Sequence, residues 1–162
     1  MLLAIVSDTH LPRGARALPS ACVERLRAAD LILHAGDFVE RSVLREIESY
    51  GPVVAVHGNV DTSQLRELLP GERVVEAAGA RIAMVHDGGQ AVERLARLRA
   101  RFPRADAVVF GHSHLPLHER GEEGFQIFNP GSPTERRRAP AHTMGLAQVR
   151  GGKVEFELIA LD

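Results

Sequence analysis

The chain has 162 residues, 44% of them hydrophobic and 25% charged, with a formal net charge of −1. This length is enough to bury a real core in one domain, and the near-neutral charge excludes a general pull toward nucleic acid or anionic membranes. A single cysteine, Cys22, excludes a disulfide framework or a thiolate zinc site within the chain and fits a reducing, cytoplasmic setting.

The first apolar run, Leu2 to Val6, is too short for a signal peptide or a membrane span and reads as a buried strand ending in Ser7-Asp8-Thr9-His10. Leu11 to Pro19, with Pro and Gly, reads as a loop. Ser20 is a candidate N-cap for a helix running to about Ala29. Leu31 to Leu33 is a second strand that exits at His34-Ala35-Gly36-Asp37. Val43, Leu44 and Ile47 form one stripe of a helix from Glu40 to Ser49. Val53 to Val56 is a third strand, ending in His57-Gly58-Asn59, and a short helix around Thr62 to Leu68 follows. Arg73 to Ala77 and Arg81 to Val85 read as a hairpin turning at Ala78-Gly79, whose second arm exits at His86-Asp87-Gly88. A helix from Val92 to Arg101 precedes the apolar run Ala107 to Phe110, which delivers Gly111-His112-Ser113-His114. The last third reads as strands, at Leu115 to Glu119, Phe125 to Phe128, Thr143 to Val149 and Lys153 to Ile159, with a hairpin turn at Arg150-Gly151-Gly152. Strand–helix alternation followed by a strand-rich tail predicts two stacked mixed sheets with helices outside.

Five strand exits carry residues that bind metals: Asp8 and His10, Asp37, Asn59, His86, and the pair His112 and His114. In an extended chain residues i and i+2 point to the same side, so the last pair should present both imidazoles to one space. Open α/β sheets build their sites outside the carboxyl ends of strands. Side by side, these exits would bring seven oxygen and nitrogen ligands to one cleft. Seven ligands exceed the need of one tetrahedral zinc and suit two divalent ions, with Asp37 as the natural bridge because a carboxylate offers two oxygens. The sulfur-free donor set favours Mn first, with Fe, Zn, Ni or Mg as alternatives. Two divalent ions against two carboxylates and a bridging hydroxide leave a net positive remainder, which suits an anionic substrate. Ions roughly 3.5–4 Å apart are a known device for phosphate esters.

Together, Ser7-Asp8-Thr9-His10, Gly36-Asp37, Gly58-Asn59, His86 and Gly111-His112-Ser113-His114 resemble the motifs of calcineurin-like metallophosphoesterases. The chain's size, and Asn129-Pro130-Gly131-Ser132 after the His-x-His pair, are similar to the small bacterial and archaeal phosphodiesterase branch. The resemblance covers Leu3 to about Val149. It implies a single domain over 1–162 with a four-layer αββα sandwich fold, and a phosphodiesterase that attacks its substrate with a metal-bridging hydroxide. It also implies that Asp8, His10, Asp37 and His114 hold one ion, and that Asp37, Asn59, His86 and His112 hold the other. The expected partner is a small phosphodiester or nucleotide. No stable nucleic-acid or membrane binding is expected, and a homo-oligomer is left open. Some relatives keep the fold as a protein-interaction scaffold, which is the alternative function; scaffolds are expected to lose ligands, and none of the seven is lost here.

One departure concerns the acid. Val60 stands where many larger members have a proton-donating His, so His57 is the candidate substitute for catalysis and substrate binding, beside Asp37 and Asn59. Asp87 intervenes between His86 and Gly88 and reads as a turn residue. His34 reads as packed or supporting, and His118, His142 and the run Arg136-Arg137-Arg138 read as structural or solvated, with a phosphate contact from the arginines at lower weight.

Overall fold

A computed structural model describes residues 1–12 and 16–162. The part of the expected loop at 13–15 lies outside the described residues. The strands are β1 (Leu2–Val6), β2 (Leu31–His34), β3 (Val53–Ala55), β4 (Glu72–Ala77), β5 (Ala80–Val85), β6 (Ala107–Val109), β7 (Leu117–Arg120), β8 (Gln126–Asn129), β9 (Thr143–Arg150) and β10 (Lys153–Ala160). The helices are α1 (Ser20–Ala28), α2 (Arg41–Glu48), α3 (Ser63–Leu68) and α4 (Arg94–Arg101), with one 3-10 turn at Glu122–Gly124.

The strands form two five-stranded sheets, ordered β10-β9-β1-β2-β3 and β4-β5-β6-β8-β7. Both are mixed: β1 runs parallel to β2 and antiparallel to β9, while β5 runs parallel to β6 and antiparallel to β4. The pleat explains the layering, because alternate residues of a strand face opposite sides. Leu3 and Ile5 of β1 meet Ile82, Met84, Val109 and Phe128 between the sheets, while Ala4 and Val6 face α1 and α2 through Leu26, Val43, Leu44 and Ile47. On the far face of the second sheet, Ala83, Val85, Val108 and Ile127 receive Leu98 of α4 and Phe102. Each sheet is thus apolar on both faces, as the nearly unbroken apolar runs of β1, β5 and β6 require, and the result is an αββα sandwich. Among the described residues, no helix is long and apolar enough to cross a membrane.

Some local expectations shift, among them the strand expected over Leu115 to Glu119, which runs over Leu117–Arg120. Ser20 is the first residue of α1 rather than its cap: the amides of Cys22 and Val23 close on the carbonyl of Pro19, and no side chain caps the helix. The helix expected from Val92 begins at Arg94, because Glu93 takes a left-handed backbone (φ 54°) that breaks the helical path. Both hairpins form two-residue turns with positive φ, at Ala78-Gly79 and Gly151-Gly152. They touch through the Gly152 amide and the Ala78 carbonyl, 2.9 Å apart, at the end of the sandwich opposite the strand exits.

Candidate metal centre

The parallel strands β1, β2 and β3 and the strands β5 and β6 end on the same edge of the sandwich, and their exits converge. Asp8 Oδ2 accepts the His112 amide at 3.0 Å, and Asp37 Oδ1 accepts the Val60 amide at 2.9 Å, so each carboxylate is pinned by one oxygen and aims the other inward. Asp8 Oδ1 lies 3.4 Å from His114 Nε2, 3.8 Å from His10 Nε2 and 3.9 Å from His86 Nε2. Asp37 Oδ2 lies 3.1 Å from His86 Nε2 and 3.3 Å from His10 Nε2. Asn59 Oδ1 lies 3.0 Å from both His86 Nε2 and His112 Nδ1. All seven residues named from sequence therefore surround one space.

Two overlapping groups have the compactness of metal sites, Asp8 with His10 and His114, and Asp8 with Asp37 and His86. Asp8 belongs to both, while Asp37 Oδ2 faces one histidine of each. Asp8 Oδ1, His10 Nε2 and His114 Nε2 are buried and have no hydrogen-bond partner among the described residues, although they face one another. Polar atoms left this way are costly, and a cation at their focus would satisfy them. Nδ1 of His86 faces the Ala35 carbonyl at 2.7 Å, and Nδ1 of His114 faces the Glu135 carbonyl. Those contacts assign the ring proton to Nδ1 and leave Nε2 as the ligand atom.

The electrostatics agree with a cation-binding site. Burial pulls His10 down, but the Asp37 and Asp8 carboxylates outweigh it and raise its pKa to about 9. Burial likewise opposes, and Asp37 and Asp8 likewise overcome, for His86, which is raised. Burial also works to raise Asp37, yet His10 and His86 hold it far below the usual carboxylate range. The carboxylates attract protons to the imidazoles where they would attract metal. His114 is lowered, chiefly by burial.

The loops achieve this with strained backbone. Asp8, His10, Asp37, His112 and His114 all have positive φ, between 45° and 70°. Such conformations are uncommon outside glycine and cluster at functional sites. His112 and His114 are therefore not extended, and the expected shared side gives way to a split: His112 turns to Asn59, and His114 turns to Asp8. Two glycines allow the close approach. A Cβ on Gly58 would collide with the Asp37 carboxylate, and one on Gly111 with Ser7 Oγ and Asp8 Oδ2.

His57 lines an open pocket of about 280 Å³ beside the cluster, with Asn59, Arg66, His86, Asp87 and His112. It lies at the rim and bonds none of the seven residues. Asp87 accepts the Gly89 amide at 2.8 Å, the turn role expected of it. His34 is fully buried, stacked on Phe38, and bonded to Thr9 Oγ1 and the Gly36 amide; burial lowers its pKa to about 3. His118 pairs with Gln126 and His142 with Asp162, both away from the cluster. The side chains of Arg136, Arg137 and Arg138 are exposed.

The bracing of these loops was not read from sequence, although the Asn129-Pro130-Gly131-Ser132 stretch was noted there as part of the resemblance. Asp61 is buried and accepts three amides, from Asp37 (3.1 Å), Val39 (2.8 Å) and Gly58 (2.7 Å), tying the exits of β2 and β3 together. Asn129 Nδ2 donates to the Gly111 carbonyl, and Ser132 Oγ to the Asp8 carbonyl at 2.7 Å. The Asn-Pro-Gly-Ser stretch thus braces the exits of β1 and β6. A carboxylate three residues from a Gly exit is the only sequence signal that pointed to Asp61.

Residues 1–152 match the family model described as calcineurin-like phosphoesterase superfamily domain. A probable metallophosphoesterase of Methanothermobacter thermautotrophicus is 35% identical over 98% of this chain and 92% of its own. Among solved structures, Vps29 of Entamoeba histolytica complexed with Zn²⁺ aligns over 100% of both chains, with a TM-score of 0.78 at 22% identity. A structure described as a novel archaeal phosphodiesterase aligns over 98% of this chain and all of its own, with a TM-score of 0.72 at 21% identity. The chain belongs to the calcineurin-like phosphoesterase superfamily.

Proposed function

We propose that the chain, acting as one unit over residues 1–162, is a metal-dependent phosphodiesterase with a two-ion site. The observation that carries this reading is the set of buried, partnerless atoms Asp8 Oδ1, His10 Nε2 and His114 Nε2 beside the Asp37–His86 pair, opening onto the pocket at Asn59 and His112. Asp8, His10 and His114 would hold one ion, and Asn59, His86 and His112 the other, with Asp37 between them. Ions bound there supply the acidified water and the positive charge that phosphate-ester hydrolysis needs.

The protein's own part is positioning. Asn59 and His112 are exposed at the mouth, while Asp8, His10 and His114 lie at 1% exposure or less, so substrate enters from the Asn59 side. Arg66 lines that mouth, with its guanidinium donating to the Asn59 and Asp61 carbonyls, and its positive charge suits an anionic ester. His57 stands at the same rim as the candidate proton donor. Cys22 does not compete as a nucleophile: burial pushes its thiol up to about 12, and it sits in α1 away from the site. The donor set of imidazole, carboxylate and amide fits manganese, with iron, zinc, nickel or magnesium as alternatives. We place the enzyme in the cytoplasm, acting on small phosphodiesters or nucleotides.

The alternative, an interaction scaffold without turnover, is favoured by the likeness in fold to Vps29 alone. Hydrolysis of bis(p-nitrophenyl) phosphate with added Mn²⁺, abolished by chelator and restored by metal, is the expected result. A folded, manganese-loaded protein that hydrolyses no diester would favour the scaffold.

A further inference from the structure

Glu135 touches both histidines of the inner metal group, each on the side facing away from the proposed ion. Its carboxylate Oε2 lies 3.2 Å from His10 Nδ1, and its backbone carbonyl faces His114 Nδ1. The residue is itself held: its amide donates to Ser132 Oγ at 2.9 Å, and Ser132 Oγ donates on to the Asp8 carbonyl. Thr134 Oγ1 donates to the Thr9 carbonyl. Segment 132–135 is thus clamped to the Asp8–His10 turn, and Glu135 sits where it meets both imidazoles. Glu135 Oε2 and His10 Nδ1 are buried atoms that make no hydrogen bond among the described residues, and each is the other's near neighbour at 3.2 Å.

We infer that Glu135 is a positioning residue for the ion held by Asp8, His10 and His114. Its carboxylate keeps the His10 ring proton on Nδ1 and aims Nε2 inward, and its carbonyl does the same for His114. This rests on the two-ion reading above. A carboxylate behind a metal-bound imidazole fixes the ring, strengthens it as a donor and adds negative charge near the cation. The corresponding support of His86 is only a neutral carbonyl, that of Ala35. Glu135 therefore acts on one ion and not the other. The competing explanation is that Glu135 is there to pair with Arg16, whose Nη1 is 3.5 Å from the same oxygen.

The test compares Glu135→Ala, Glu135→Gln and Arg16→Gln with the native protein. Mn²⁺ binding is measured by calorimetry, and exchange of the His10 Nδ1–H proton by ¹⁵N NMR on metal-free protein. Glu135→Ala should weaken one of the two ions by about 10–100-fold and leave the other unchanged. Glu135→Gln, which keeps an acceptor oxygen but not the charge, should fall between, and Arg16→Gln should match the native protein. In metal-free Glu135→Ala the His10 Nδ1–H proton should exchange with solvent faster than in the native protein. Native affinity for both ions in Glu135→Ala, or a loss that Arg16→Gln reproduces, would overturn the inference. A native protein that takes up no Mn²⁺ would sink the two-ion reading instead, and the proton exchange would still decide whether Glu135 holds His10.

Discussion

Replacing Asp61 with Asn should destabilise the protein out of proportion to so small a change. The carboxylate is 4% exposed, and it accepts the amides of Asp37 and Gly58 on Oδ2 and of Val39 on Oδ1. An Asn side chain has one acceptor oxygen and one amide donor. Its best orientation keeps the oxygen on Asp37 and Gly58 and turns NH₂ against the Val39 N–H. That loses one bond to a charged group, worth about 1.5–3 kcal/mol, and weakens the two that remain. The expected cost is about 3 kcal/mol, or a fall in Tm of about 6–12 °C for a chain of this size. Asp61→Ala, which leaves all three amides without their acceptor, should cost more. The measurement is urea unfolding with chelator present, because bound metal would stabilise the native state by linkage and mask the difference. A loss below about 1 kcal/mol, with an unchanged m-value, would refute the view that Asp61 is what joins the β2 and β3 exits.

Asp37→Asn should fold and lose nearly all diesterase activity, since one substitution removes charge and bridging capacity together; a folded variant with native activity would remove Asp37 from between the ions. Buried His34, with its pKa near 3, must take up a proton on unfolding between about pH 3 and the ordinary 6.5. Its contribution is therefore fully present above pH 6.5 and is lost as the pH falls from 6.5 toward 3, by about 2 kcal/mol at pH 5. Denaturant melts at pH 7 and pH 5, with an NMR titration of His34, check this, and a His34 signal that titrates near pH 6.5 in the folded protein would contradict it. With Val60 where an acid often stands, the rate should fall steeply as leaving-group pKa rises, and Val60→His should help alkyl esters more than aryl esters. A flat dependence that steepens only in His57→Ala would make His57 the acid, a role typically worth about 10²–10⁴-fold.

The sequence revealed the elements and the residues that converge at the strand exits because both are written in local pattern. Leu2 to Val6 and Ala107 to Phe110 are apolar runs that give way at Ser7 and Gly111, and the strands stop at or one residue before the ends of those runs. What it could not reveal is how the turns are held. His112 and His114 looked like an extended pair, but both take left-handed backbone, and the two rings part. No residue code marks that choice: glycine advertises a positive φ, whereas Asp and His at the same angle do not. Asp61, Ser132 and Glu135 escaped for a related reason. Asp61 reaches the amides of Asp37 and Val39, 24 and 22 residues away, Ser132 reaches the Asp8 carbonyl, 124 away, and Glu135 reaches the imidazoles of His10 and His114, and such partners leave no trace in periodicity.

The strain and the bracing belong to one account. Five of the candidate ligands sit at positive φ, and each such conformation costs on the order of 1–3 kcal/mol. A chain keeps that cost only where its surroundings over-determine the geometry. Here the three amides on Asp61, the Ser132–Asp8 bond and the Asn129–Gly111 bond fall on the same turns that carry the strain. The strained turns are also the ones that bring Asp8 Oδ1, His10 Nε2 and His114 Nε2 face to face without partners. Packing alone gives no reason to gather unsatisfied polar atoms in a buried place and then brace them there. An ion that binds all three gives such a reason, because its binding energy is largest when the ligands need no reorganisation to receive it. Asp8 and Asp37 are buried among these braces, whereas Asn59 and His112 are exposed, which leaves the proposed ester its approach to the ions.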